Sequence, residues 1–265
     1  MSEIIVQKFG GTSVGSDERI NAVANIIKNA TKENKVIVVV SAMSGETNRL
    51  IKLAKSFSDN PNRREFDALI STGEKVSASL LAMALEANGV KAKSFSASQI
   101  SMKTTDHHSK AKIIDVNGEK ILSTLNDDIV PIITGFQGVT ESGDVTTLGR
   151  GGSDTTAVAI AAHVNAARCD IYTDVDGIYT TDPRVVPEAK KLESITMEEM
   201  LEMAGQGAKV VQIRAVEFAN KEALTFSPVE INASNSLLSG LSPKLLARLI
   251  NLLVSPLIAD TTTIT

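Results

Sequence analysis

Six consecutive residues, Val36–Ser41 (Val-Ile-Val-Val-Val-Ser), constrain the fold of this chain more than any other stretch. A β-branched run without polar alternation reads as a strand buried on both faces. Such a strand needs helices above and below it, and segments of helical period surround this one. Ile4–Phe9 reads as a first strand, ended by Gly10-Gly11. Asp17–Asn29 follows, with Ile20, Val23, Ala24 and Ile27 at helical spacing behind Ser16 as an N-cap. Thr47–Ser58 and Phe66–Asn88 read as two further helices, the second stopped by Gly89. Lys91–Ser94, Ile129–Gly135 and Cys169–Thr173 read as strands, and Thr155–Ala166 as an Ala/Val helix. Met197–Gly205 and Val210–Asn220 add two more helices. Alternation of this kind predicts an α/β fold, an open, mostly parallel sheet sandwiched between helices.

Two segments stand outside the alternation. Asp106–Lys120 is polar and contains Asn117-Gly118, which suits a hairpin or an exposed loop. From about Leu224 the chain turns rich in Leu and Ser and poor in charge, although Pro243–Val254 carries Leu245, Leu246, Leu249, Leu252 and Leu253 on one helical face. The expected division is a folded unit over 1–223 and an atypical tail over 224–265.

Composition narrows the function classes. A formal net charge of −4 argues against a whole-surface nucleic-acid binder, so an anionic ligand must be held by local groups. The single cysteine, Cys169, excludes an internal disulfide framework and suits a reducing compartment. Met1-Ser2-Glu3 carries no basic leader and no run approaches about 18 uninterrupted apolar residues, so neither a signal peptide nor a membrane span is expected. The expected location is the cytoplasm.

Candidate chemistry sits where strands give way to loops, which is where open α/β sheets bind ligands. In Lys8-Phe9-Gly10-Gly11-Thr12-Ser13, two glycines let backbone N–H groups approach a ligand, Thr12 and Ser13 add hydroxyls, and Lys8 adds a positive charge. That combination suits phosphate oxygens and a phosphoryl group in transfer. In Gly149-Arg150-Gly151-Gly152-Ser153-Asp154, Arg150 offers a planar fork for a carboxylate beside a helix N-terminus. Ser153 or Asp154 could equally serve as that helix's N-cap. Thr173-Asp174-Val175-Asp176-Gly177, followed by Tyr179 and Asp182-Pro183-Arg184, offers an acidic turn for the nucleoside side of a nucleotide, or simply a turn. Ser41, Thr47, Glu74 and Lys209 are scattered candidates whose plainer reading is structural or surface. His107 and His108 lie in a polar loop without a ligand partner at metal spacing, so solvent exposure is the expectation.

Taken together, Lys8–Val14 (KFGGTSV), Val38–Asn48 (VVVSAMSGETN), Ser71–Glu74 (STGE), Gly135–Asp154 (GFQGVTESGDVTTLGRGGSD) and Thr173–Arg184 (TDVDGIYTTDPR) resemble the amino acid kinase superfamily and, within it, the aspartate kinases. The resemblance covers roughly Ile4 to Ala219. It implies a carbamate kinase-like sheet and transfer of the ATP γ-phosphoryl group to the side chain of L-aspartate, the entry step to lysine, threonine and methionine. It implies that Lys8 stabilises the group in transfer and that Asp154 orients Lys8 near the phosphates. Gly10, Gly11, Thr12 and Ser13 would cradle phosphates, with Mg²⁺ arriving on ATP rather than in a protein-built metal site. Ser41, Thr47, Glu74, Arg150 and Ser153 match acceptor-side positions, and Thr173, Asp174, Tyr179, Arg184 and Lys209 match nucleotide-side ones. The partners implied are aspartate and ATP, with no nucleic acid or membrane, and a homo-oligomer is compatible with them. Aspartate kinases normally continue into two small ACT regulatory domains, and none is expected within these residues. Alternatives are a kinase of another amino-acid carboxylate, of glutamate type, and a non-catalytic nucleotide-binding regulatory subunit.

Overall fold

The computed structural model describes residues 2–173, 180, 186–192 and the backbone of 226–230. Its centre is a six-stranded, wholly parallel sheet. β1 (Ile4–Phe9) lies between β2 (Lys35–Val40) and β9 (Arg168–Thr173); β2 pairs with β6 (Val130–Thr134), β6 with β3 (Ala92–Phe95), and β9 with β10 (Phe226–Glu230). Val36 to Val40 are all buried, as a strand with helices on both faces requires. One face packs Ile5, Phe9, Val36, Val38 and Val40 against α1 (Asp17–Ala30) and α4 (Thr72–Ala87). The other packs Val6, Ile37, Val39 and Ile171 against α5 (Glu119–Asn126) and α6 (Gly152–His163).

The chain steps from β1 to one side of the sheet through β2, β3 and β6, then returns to the other side for β9. The reversal falls between β1 and β9, and a crevice opens at the carboxyl ends of strands at such a point. Ser16 caps α1 as expected, its side chain accepting from Arg19 N–H at 3.4 Å.

Several elements differ from the sequence reading. The expected helix over 66–88 begins earlier and is broken. α3 (Arg63–Ile70) starts behind Asn62, whose side chain accepts from the N–H groups of Arg64 and Glu65, and Ser71 separates it from α4. Read across that break, 63–87 is long and apolar enough to cross a membrane by length and composition. Here, however, α4 packs on β3, β6 and α1. The polar stretch 106–120 joins a second, four-stranded sheet in the order β5 (Ile113–Asp115), β4 (Lys103–Thr104), β7 (Gln137–Val139), β8 (Val145–Thr147). Gly118 then precedes α5, a helix that strand-and-helix periodicity alone did not indicate. α2 (Glu46–Lys55) follows β2 after a short loop. β10 falls within the stretch set apart as a tail. Its Pro228 is tolerated because β10 is the sheet's edge strand among the described residues. The helices expected over 197–205, 210–220 and 243–254 lie outside the described residues.

Candidate active site

Lys8 is the penultimate residue of β1, and its side chain leaves the sheet toward α6, where Nζ lies 2.7 Å from Asp154 Oδ1. Both side chains are largely buried, and the contact is ionic without hydrogen-bond alignment. A buried pair of this kind fixes a lysine in place while leaving the ammonium protons usable by a ligand.

After β1 the chain turns at Gly10, whose N–H donates to Tyr172 O at 3.1 Å. The N–H groups of Ser13 and Val14 fold back on Gly10 O, which among the described residues leaves those of Gly11 and Thr12 without a backbone acceptor. A Cβ on Gly11 would sit 2.6 Å from Ala42 O, so only glycine allows the post-β1 and post-β2 loops to touch. Gly11 lines the cleft, whereas Gly10, Thr12 and Ser13 do not line it, lying in a turn closed on Gly10 O ahead of the extended Ser16 and α1. Ser13 Oγ is buried with no hydrogen-bond partner among the described residues.

Glu74 sits in the first turn of α4, where Oε1 accepts from Ala42 N–H at 3.1 Å and Oε2 is buried without a partner among the described residues. Burial pushes its carboxyl up to about 7, against the pull of its own N–H and that of Ala42. A half-filled buried carboxyl of this kind suits a cation brought by a ligand. The third wall is the Gly149–Gly152 loop. Gly149 (φ 78°) and Gly151 (φ 72°) adopt left-handed backbone that favours glycine, and they hold up Arg150 between them. Arg150 is exposed and, among the described residues, has no ion-pair partner. Gly151 occupies the N-cap of α6, so neither Ser153 nor Asp154 is spent on capping and both turn into the cleft.

These groups surround a cleft of about 410 Å³. Of the residues singled out from sequence, Lys8, Gly11, Ser41, Thr47, Glu74, Arg150, Ser153, Asp154 and Thr173 line it. Asp174, Tyr179, Arg184 and Lys209 lie outside the described residues. Sequence reasoning had not assigned a role to Met43, Ser44 and Gly45, which complete the wall after β2, or to Phe136 after β6. Their place directly after strand ends was the signal that could have found them. His108 is a correction. It is not solvent-exposed but mostly buried, with Nδ1 3.1 Å from Asp67 Oδ2, whereas His107 is exposed as expected. Among the described residues no group of three or more His, Cys, Asp or Glu side chains is placed to hold a metal ion.

Comparison with known proteins adds to this geometry. The family model described as the amino acid kinase family matches residues 3–226. An aspartate kinase of Pseudomonas putida is 58% identical over 219 residues, covering 82% of this chain and 53% of that protein. The chain thus spans about half the length of the curated relatives it matches first. Among solved structures, the aspartate kinase from Synechocystis superposes with a TM-score of 0.77 at 46% identity, over 86% of this chain and 37% of that one. E. coli aspartokinase III, in complex with aspartate and ADP, gives a TM-score of 0.79 at 30% identity, over 88% and 62% respectively.

Proposed function

The chain belongs to the amino acid kinase family, and from that premise we propose that it transfers the γ-phosphoryl group of ATP to the side-chain carboxylate of L-aspartate, giving 4-phospho-L-aspartate. The observation that carries the reading is one cleft lined by two sets of charged groups, the Lys8–Asp154 pair and the residues Glu74 and Arg150. A phosphoryl donor needs the first set. A free amino acid, with its ammonium and carboxylates, matches the second.

In this reading Arg150 grips a carboxylate of the acceptor through its planar fork, and the unfilled Oε2 of Glu74 receives the α-ammonium. Thr47, Ser41 and Ser153 add hydroxyls to the same cleft. The acceptor needs no general base, since its side-chain carboxylate is ionised at neutral pH. One carboxylate oxygen forms a bond to Pγ as the bond from Pγ to the β,γ-bridging oxygen breaks, and ADP leaves with that electron pair. Charge builds on the group in transfer and on the leaving oxygen. Lys8 is held where it can meet that charge, and Asp154 keeps its ammonium aimed there. The N–H group of Gly11, which lines the cleft and has no backbone acceptor among the described residues, provides a further anion contact.

Mg²⁺ carried by the phosphates would supply neutralisation of their charge, and Asp154, a carboxylate lining the cleft, would meet it. Its hydrogen-bonding capacity, not filled by Lys8, fits that use. Thr173, together with Asp174, Tyr179, Arg184 and Lys209, is assigned to the nucleotide. The product would be the first intermediate toward lysine, threonine and methionine.

A hydroxamate assay for acyl phosphate, run with ATP, Mg²⁺ and a panel of amino acids, tests the reading. Signal with aspartate alone is the expected result. Signal with glutamate and not aspartate would move the acceptor, and no signal with any acceptor would overturn the reading.

A further inference from the structure

We propose that Asp67 is a positioning residue for the Gly149–Gly151 loop, holding Arg150 at the acceptor side of the cleft; this deepens the function proposed above and rests on it for the role of Arg150. Asp67 lies on α3, has no exposed surface and does not line the cleft. A buried carboxylate is unfavourable unless its lone pairs are filled. Here they are filled by five donors. Oδ2 accepts from Ser109 N–H at 2.8 Å, Thr147 N–H at 2.9 Å and His108 Nδ1 at 3.1 Å. Oδ1 accepts from the hydroxyls of Thr147 at 2.8 Å and Ser109 at 3.2 Å.

All five donors come from two segments, and both lead to Arg150. Thr147 ends β8, three residues before Arg150. Ser109 backs the same loop, since its carbonyl oxygen lies 3.2 Å from where a Cβ on Gly149 would be. The two segments are tied to each other as well, Ala111 N–H donating to Thr147 O at 3.0 Å. Within the loop, Gly152 N–H donates to Gly149 O at 3.0 Å, and just before it Leu148 N–H donates to Phe136 O at 2.9 Å. β8 is three residues long and, among the described residues, pairs only with β7, and glycines at positive φ flank the arginine. Beyond these backbone bonds, the side chain that ties both segments flanking Arg150 to the body of the protein is Asp67.

The anchor also explains how the two acceptor-side charges keep their separation. Asp67 precedes Glu74 by seven residues, two helical turns across the Ser71 break. Gln137 of β7 donates to Ser71 O at 3.0 Å, docking the small sheet on that junction. One helix pair therefore bears Glu74 directly and Arg150 through Asp67.

The test is Asp67→Asn, which keeps the shape but turns an amide donor toward donors. The expected result has two parts. KM for aspartate rises about tenfold or more, while kcat and KM for ATP stay within about threefold. In the absence of substrates, tryptic cleavage after Arg150 accelerates by about tenfold, while cleavage after Arg168 in β9 does not. If Asp67→Asn does not fold, Thr147→Val and Ser109→Ala each remove one hydroxyl contact and should produce smaller changes in the same two readouts. Unchanged Arg150 cleavage in folded variants overturns the proposal. So does faster Arg150 cleavage with an unchanged KM for aspartate, and so does a parallel loss of all kinetic parameters with the melting temperature. If the protein phosphorylates no amino acid, the function proposed above fails by itself, and the ratio of the two cleavage rates still decides whether Asp67 holds the loop.

Discussion

Glu74 keeps a carboxyl group where its charge is disfavoured, and that has a consequence for stability and another for binding. Its pKa rises to about 7 from an ordinary 4.5, chiefly through burial. Between those values the folded protein retains a proton that the unfolded chain has released. Stability therefore falls as pH rises across that window and levels off above it, by roughly 3 kcal/mol at most. Urea unfolding at about pH 5 and about pH 7.5 should show this fall, and Glu74→Gln should flatten it; an equal fall in both proteins would contradict the account. An incoming ammonium needs the ionised form. Apparent affinity for aspartate should accordingly rise with pH through about 7 in the wild type, and Glu74→Gln should bind weakly at every pH. At this scale the sequence was informative wherever charge met glycine, as at Lys8 and Arg150. It was silent on Asp67, because one aspartate in a helical run looks like any solvated position until the fold buries it.

At the scale of elements, the site depends on close approach between strand ends and helix starts. Gly135 follows β6, its N–H donating to Val40 O at 2.9 Å, and a Cβ there would lie 2.7 Å from both Cβ and Oγ of Ser153. Gly135→Ala should push the first turn of α6 outward and carry Asp154 away from Lys8. The expected cost is about 1–3 kcal/mol in urea unfolding, with kcat reduced more than KM. Wild-type stability and turnover would show that α6 accommodates the methyl group without moving. The long strands and helices were legible because their periodicity runs over six or more residues, as in β2 and α1. The small sheet was not, since β4, β5, β7 and β8 are two or three residues each and too short to show alternation. The break at Ser71 was hidden for another reason. Ser-Thr-Gly-Glu looks like continuous helix until Gln137, far away in sequence, takes the freed Ser71 carbonyl.

For the whole molecule, the parallel sheet places the ends of β1, β2, β6 and β9 along one edge, where they meet Glu74 of α4 and the Gly149–Asp154 segment to make one cleft. The alternation of strands and helices made this layout readable. The position of β10 was not readable, because Phe-Ser-Pro-Val-Glu carries a proline and little β-branching. No described cluster of acidic, histidine or cysteine side chains is built to bind a metal. Chelation of Mg²⁺ by EDTA should therefore stop phosphoryl transfer while leaving the melting temperature within about 1 °C. A large fall in melting temperature would reveal a metal built into the fold.

The central claim is that the Lys8–Asp154 pair stabilises the phosphoryl group in transfer, and turnover of Lys8→Ala tests it most directly. Loss of a contact that strengthens only in the transition state should lower kcat by about a thousandfold or more, with ATP affinity changed by about tenfold at most. Turnover equal to the wild type would contradict the role of Lys8, and with it the assignment of this cleft as the place where phosphoryl transfer occurs.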